Sequence, residues 1–452
     1  MSVARPLTWF NVIGYGAGDM ANNLVFAMGS LFLLHYYTDV AGIPAAAAGT
    51  LLAAVRIYDA VMDVAAGRVV DRTATRWGRF RPFLLGGALP LLLLSVAVFS
   101  VPSGWSAGAK LAYAYVTYAL LGTAYSFVNI PYGSLATVMT QDPRERARLG
   151  ASRTFMAVCT ASFLTMVVGP TVAGLEGQAL QAWLTRLTLG LAIAGAMLYA
   201  FCFAATREIV ERQIERPRLD DSLGTLIGNT PLLMLCAAAL CVLTGLASST
   251  ASLVYFARYM LGDVTLFFFV IGLTSLLSVS ISAAVVPILA GRIGKKRTFL
   301  LGLAIATLGY GALFLASGAG KAWVFGSFAV AALGAGTSMS IMWAIEADTV
   351  EYGQWRTGVR IEGLTYALFS LTRKCGQSLG GSVPAFLLAA GGYVPNAPVQ
   401  DETARQAILQ AVALVPVLAF AAAFTIMACY PLTDRRFAEL LAEIKDRTAG
   451  AG

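Results

Sequence analysis

AGRVVDRTATRWGRFRPFLL, residues Ala66 to Leu85, is echoed by AGRIGKKRTFLL, residues Ala290 to Leu301. Each stretch places a Gly-Arg pair after a long apolar segment, follows it with a basic turn, and returns to apolar sequence at Phe-Leu-Leu. The two Gly-Arg pairs lie 224 positions apart in a chain of 452 residues, close to half its length. A repeat of that period marks a parallel duplication of one large unit.

The unit is built of membrane spans. Apolar segments of about 20 residues, enough to cross ~30 Å of hydrocarbon at 1.5 Å per residue, recur down the chain. Hydropathy places twelve, near 9–37, 46–67, 81–101, 110–137, 152–175 and 183–205, then 230–260, 265–291, 297–317, 322–348, 361–391 and 406–431. Hydrophobic residues make up 58% of the chain and charged residues 12%, about half the charged share of a soluble domain, which excludes an ordinary soluble fold. The first segment carries Asp19 and Asn22 and no cleavage pattern, so it reads as a retained span.

The six cysteines (Cys159, Cys202, Cys236, Cys241, Cys375, Cys429) fall in apolar segments without zinc-site spacing and read as small core residues. His35 is the single histidine and lies near the outer end of the first span, which leaves almost nothing for a histidine metal site or catalytic triad. The net charge of +8 comes from residues scattered over short loops, so topology explains it better than nucleic acid does. No nucleophile with a base and no phosphate loop in the right context is found, and an enzyme is not expected.

Five of the 32 basic residues (Lys110, Arg186, Arg258, Lys321, Arg405) lie in loops on the side opposite the N-terminus, four lie at or in spans, and 23 lie on the N-terminal side. The positive-inside rule then predicts a multi-pass protein of a bacterial inner membrane with both termini cytoplasmic. Between the sixth and seventh spans, TREIVERQIERPRLDDSLG (Thr206 to Gly224) is charged and reads as a linker. The expected division is a six-helix half over 1–205, a linker over 206–229, a second six-helix half over 230–434, and a cytoplasmic tail over 435–452. Two pseudo-symmetric six-helix halves joined this way resemble the all-α membrane fold of the major facilitator superfamily.

Charges inside spans locate a candidate site, because each costs at least ~2.5–3.5 kcal/mol at mid-bilayer. In RIYDAVMD, Asp59 and Asp63 are four apart and share one helix face. Two such carboxylates repel unless one takes a proton or a cation sits between them. The alternative is a structural ion network completed by Arg56, on the same face one turn earlier, and by basic loop groups. Asp19 sits in GYGAGDMANN, a stretch rich in small residues expected to loosen the first span and let backbone approach a ligand. SFVNIPYGSL holds Asn129, Pro131 and Gly133 and is expected to form a proline-broken helix beside an aqueous cavity. Arg153 opens the fifth span, and Lys374 lies inside the eleventh, where a lysine near the carboxylates could act in coupling.

These motifs resemble the glycoside–pentoside–hexuronide:cation symporter family, the melibiose permease-like branch of that superfamily. The likeness covers nearly the whole chain, through Gly-Asp in the first span, YYTDVAGI, RIYDAVMDVAAGRVVDRT, RWGRFRPF, NIPYGSL, DPRERARL, ADTVEYGQWRTGVRIEG and RKCGQS. It implies substrate binding by Asp19, Asn129, Arg153 and Lys374, and cation binding by Asp59, Asp63 and Ser126 with Lys374 nearby. Asp348, Glu351, Arg356, Arg360 and Glu362 would belong to a cytoplasmic loop that latches the halves in one state.

Two departures shift the expectation. Asn129 and Gly133 stand where the family's melibiose pattern has an aspartate and a tryptophan, which makes melibiose doubtful and, with Arg153 and Lys374 kept, suits an anionic sugar such as a hexuronide. Met62 stands where a sodium-using relative has asparagine, and a thioether is a poor ligand for a hard cation, so H+ is expected over a Na+ ion at Asp59 and Asp63. The expectation is a cation-coupled sugar or glycoside symporter acting by alternating access as a monomer in the lipid bilayer, with no cofactor beyond the coupling ion. Rival readings are a lipid or lysolipid carrier of the same fold and a membrane sugar receptor that does not translocate.

Overall fold

The computed structural model describes residues 7–73, 75–140, 142–209, 228–315, 318–357 and 362–449. In chain order the helices are α1 (Trp9–His35, running on as a π turn, Tyr36–Val40), α2 (Ala45–Arg72), α3 (Arg81–Gly86), α4 (Ala88–Val98), α5 (Ala107–Met139), α6 (Pro143–Gly174) and α7 (Gly177–Ala205). They continue as α8 (Thr230–Phe256, then a π turn, Ala257–Leu261), α9 (Val264–Ile293), α10 (Lys295–Leu315), α11 (Lys321–Thr357) and α12 (Glu362–Ala390). The chain closes with α13 (Glu402–Leu409), a π turn (Gln410–Leu414), α14 (Val415–Ala428) and α15 (Asp434–Ala449).

Eleven stretches of the described helices are long and apolar enough to cross a membrane, and they match eleven of the twelve expected spans. The remaining one, α12, is a continuous helix with Thr372, Arg373, Lys374, Gln377 and Ser378 in its middle. The third expected span is α3 stacked on α4 across a one-residue break at Gly87. Most of the linker, residues 210–227, lies outside the described residues.

Two compact units form. The first holds Met1–Gln213 together with Leu253–Gly272 and Ala385–Arg405; the second holds Ile214–Ser252, Leu273–Pro384 and Gln406–Gly452. Segments at one end of α8, α9, α12 and α13 thus pack within the first unit.

Within the first unit, α1 is the central helix, packed against α6 and α7. Its start is fixed by a capping box: Asn11 N–H donates to Thr8 Oγ1, and Thr8 N–H donates back to Asn11 Oδ1 at 2.9 Å. The glycines of GYGAGDMANN do not loosen this helix, contrary to the expectation. A Cβ on Gly14 would overlap Ala205, one on Gly16 would overlap Ser152, and one on Gly18 would overlap Tyr132 and Cys202. They are the points where α7, α6 and α5 come closest, as small residues do between helices in membranes. Nor does Pro131 break its helix, since α5 runs unbroken from Ala107 to Met139.

The duplicated loop is visible in the backbone. In the first unit, Gly78 has φ +105° and precedes α3; in the second, Gly294 has φ +87° and precedes α10. Each turn is fastened by a carboxylate from the segment after the last span of its half. Glu208 accepts the backbone N–H groups of Arg79 (2.8 Å), Phe80 (2.8 Å) and Arg81 (3.0 Å), while Asp434 accepts that of Lys295 at 3.0 Å. A carboxylate at a helix N-terminus satisfies otherwise orphaned donors and complements the helix dipole. Both carboxylates also fill the space a Cβ would need at the glycine. Glu208→Ala is therefore expected to cost about 2 kcal/mol of stability, and Asp434→Ala, with one partner N–H at an exposed site, less than half of that. Thermal unfolding in detergent would show this order, and equal midpoints for the two variants would contradict it.

Candidate functional site

Two clusters in the first unit gather Asp19, Arg153, Arg56, Asp59 and Asp63. The first joins α1, α5 and α6. Asp19 is 5% exposed, and its Oδ1 accepts from Arg153 Nε at 2.9 Å. Its other oxygen accepts from Asn23 Nδ2 at 3.1 Å, one helical turn on. The Arg153 guanidinium lies 5.1 Å over the Tyr132 ring. Tyr132 in turn stacks on Tyr15 at 4.8 Å and donates its hydroxyl to the Tyr15 carbonyl at 2.7 Å. The aromatic pair holds the arginine's plane, and Asn23 holds the carboxylate's rotation. A further pair on this helix, Tyr199 donating to Asn22 at 2.8 Å, ties α7 to α1.

The Asp19–Arg153 pair suits a sugar. A carboxylate accepts hydroxyl protons, and a planar guanidinium donates to hydroxyls or, bidentately, to a second carboxylate. A Cβ on Gly133 would meet only Arg153 Nη1, at 3.8 Å, so the side-chain space that a larger residue would fill is open beside the guanidinium. Asn129, one turn before Gly133 on α5, is half-buried.

The second cluster joins α2 and α5. Ser126, 2% exposed, donates to Asp63 Oδ1 at 2.6 Å. Asp59 has Arg56 Nη1 at 3.8 Å and keeps only 14% of its side chain exposed. The Arg56 guanidinium also lies 5.7 Å from the Phe26 ring centre on α1. Gly122 makes room for this arrangement, because a Cβ there would overlap Asp59 Oδ1. Gly122→Ala is therefore expected to push the Asp59 carboxylate away and to cost about 1–3 kcal/mol of stability, read as a lower thermal midpoint in detergent. A wild-type midpoint in that variant would show that the space at Gly122 is not needed. Met62 lies on α2 between the two carboxylates in sequence and is half-buried.

The remaining expected residues belong to the second unit. Lys374 is half-buried on α12, and its neighbour Arg373 lies 4.5 Å over the Trp343 ring. Trp343 stacks on Tyr366 at 5.9 Å, forming an aromatic face on α11 and α12. Asp348 pairs with Lys295 at 2.6 Å within this unit, and Arg356 donates to the carbonyl of Gly228. Glu351 is half-buried on α11, Glu362 opens α12, and Arg360 lies outside the described residues.

Sequence reasoning passed over several groups. Glu346, 8% exposed on α11, is an acidic residue within a span. Asn23 and Tyr132 had no signal of their own, since an asparagine or tyrosine in a span is unremarkable until its partner is known. Gly122 could have been suspected only from its position on the helix facing α2.

A family model described as "MFS/sugar transport protein" matches residues 14–434. The chain is 51% identical over 443 residues to the "Glucuronide carrier protein homolog" of Escherichia coli (strain K12), covering 98% of this chain and 97% of that one. It is 33% identical over 450 residues to the "Isoprimeverose transporter" of Lactiplantibacillus pentosus, covering 98% of this chain and 92% of that one. In fold it matches the crystal structure of the nucleoside transporter NupG with a TM-score of 0.66 at 12% identity, over 94% of this chain and 100% of that one. A bacterial homologue of the lysosomal transporter Spinster matches with a TM-score of 0.65 at 13% identity, over 95% of this chain and 97% of that one.

Proposed function

The chain belongs to the MFS/sugar transport protein family, and from that premise we propose that it is a symporter that moves a glucuronide-type sugar together with a proton. It is a multi-pass membrane transporter of the major facilitator fold, not an enzyme, and its substrate is of the glycoside or glucuronide type. The finer reading rests on one observation: two carboxylates on one face of a membrane helix, Asp59 beside Arg56 and Asp63 held by Ser126.

In this reading a cation neutralises the Asp59 and Asp63 pair and lowers the cost of closing the six-helix halves, 1–205 and 230–434, around the sugar. Empty, the pair resists a dry state. Coupling then arises from differential affinity of the two states for ion and sugar. Met62 favours the proton over Na+, because it offers a hard cation no oxygen. Asp19 and Arg153 hold the sugar, with Asn129 and Lys374 as further contacts. The amide at 129 adds no negative charge, and the guanidinium supplies two parallel donors to a sugar carboxylate. The relative named for glucuronide supports that choice of substrate. Both termini are cytoplasmic in this reading, the protein acts as a monomer in a bacterial inner membrane, and the acidic and basic residues from Asp348 to Glu362 gate the inner side.

Purified protein in liposomes tests the proposal. Uptake of labelled glucuronide is expected to rise several-fold with an inward proton gradient and to respond little to a Na+ gradient. A response to Na+ alone would overturn the proton assignment, and uptake indifferent to both gradients would overturn symport.

A further inference from the structure

YYTDVAGI (Tyr36 to Ile43), at the end of α1 away from Trp9, takes no part in either cluster, yet its polar side chains are buried. His35, Thr38 and Asp39 are 1%, 0% and 5% exposed. Asp39 Oδ1 accepts from the Tyr393 hydroxyl at 2.6 Å and from Asn396 N–H at 3.3 Å. Its Oδ2 accepts from Thr38 Oγ1 at 2.6 Å, with His35 Nδ1 at 3.3 Å. The backbone carbonyl of Asp39 accepts from Asn396 Nδ2 at 2.7 Å.

Two hydroxyl relays converge on this carboxylate. Tyr255 OH lies 2.8 Å from Thr38 Oγ1, and Tyr259 OH lies 3.3 Å from Tyr393 OH. Each hydroxyl has one proton to give, so once Thr38 donates to Asp39, Tyr255 donates to Thr38, while the Tyr393 hydroxyl is aimed at both Asp39 and Tyr259. Burial, with the Asp39 charge beside it, pushes the Tyr393 phenol up, which keeps it a donor. Asn396 has φ +56°, the one non-glycine residue at positive φ among those described, and that conformation lets both its amides reach Asp39. An ion pair between Arg258 and Glu176 lies in the same unit, joining the π turn after α8 to the start of α7.

Three chain segments distant in sequence are thereby tied together: the end of α1, the turn after α8, and the loop after α12. The first belongs to the first six-helix half, and the other two to the second. We propose that Asp39 is the centre of a releasable latch that holds the α12–α13 loop and the end of α8 onto the end of α1, and that this latch opens when the transport path opens on that side. The assignment rests on the alternating-access reading given above, under which this side faces outward. A carboxylate suits the task. Closed, its charge is met by hydroxyl and amide donors; open, water supplies the same bonds, so neither state strands the charge.

Hydrogen–deuterium exchange of the full protein in liposomes tests the latch. Tyr393→Phe removes one donor with little change of volume, and Asp39→Asn removes the charge while keeping the shape. Both are expected to speed exchange about tenfold in segments 35–43 and 391–400, with the remaining helices exchanging as in the wild type. Glucuronide counterflow, measured on the same samples, is expected to change at least threefold in rate. Wild-type exchange in both segments for both variants overturns the latch, as does faster exchange with counterflow unchanged. Absence of counterflow in the wild type refutes the transport reading instead, and the exchange comparison still decides whether Asp39 ties the segments together.

Discussion

Asp63→Asn and Asp59→Asn carriers are expected to lose uphill sugar accumulation entirely while still exchanging sugar across the membrane. An asparagine at 63 keeps an oxygen that can accept from Ser126, now at 2.6 Å from the native carboxylate, so the change isolates charge from shape. A neutral side chain no longer carries the ~2.5–3.5 kcal/mol penalty of a bare charge in hydrocarbon. The closed empty state then becomes as accessible as the loaded one, and the cation loses its differential effect on the two states. A tenfold sugar gradient is worth about 1.4 kcal/mol, well within what this charge supplies. Steady-state accumulation of labelled glucuronide under a proton gradient should fall to the external level in both variants, with counterflow retained. Accumulation at the wild-type level in either one would refute a coupling role for that residue.

Arg153→Ala is expected to weaken glucuronide binding at least ~100-fold, because it removes a sugar donor and leaves the Asp19 carboxylate buried without its main partner. Asp19 is 5% exposed and has Arg153 at 2.9 Å, so its charge is balanced chiefly by that guanidinium. Arg153→Lys separates the two effects. The ammonium restores charge to Asp19 but lacks the planar fork that meets a carboxylate with two parallel bonds. Its affinity for a glucuronide should therefore drop more than its affinity for the matching neutral glucoside, by about tenfold. Calorimetric titration of both sugars measures this. Equal losses for the two sugars would show that Arg153 does not read the sugar's charge.

Much of this arrangement can be read without coordinates, and the reasons are specific. Spans are legible because each must be apolar over a fixed length, and the duplication because Ala66 to Leu85 and Ala290 to Leu301 keep one pattern. The structure adds the cause: a glycine at positive φ and a carboxylate that fastens the turn in each unit. Asp59 and Asp63 follow from helical periodicity alone. Their partners do not, since nothing in a linear sequence pairs residue 63 with Ser126, and only the family resemblance pointed there. The glycines near Asp19 depart from expectation for a related reason. Glycine loosens an isolated helix, but beside Ala205, Ser152 and Tyr132 it allows close packing, and which effect wins depends on neighbours far along the chain. Pro131 leaves α5 continuous because a membrane helix continues past a proline when the surrounding helices hold it. Asp39 stands in YYTDVAGI, one of the stretches that carry the family resemblance, but its role is not legible there because its donors, Tyr393 and Asn396, are more than 350 positions away.

Ion and sugar movement recorded together provide the most direct test of the claim that a cation visits the α2 carboxylates in each turnover. Liposomes containing the wild-type protein and a pH-sensitive dye, given a sugar gradient and no ion gradient, should show proton entry that tracks glucuronide entry. The Asp59→Asn and Asp63→Asn proteins should exchange sugar with no accompanying proton. Sugar-driven proton entry that persists in the doubly substituted protein would contradict the account.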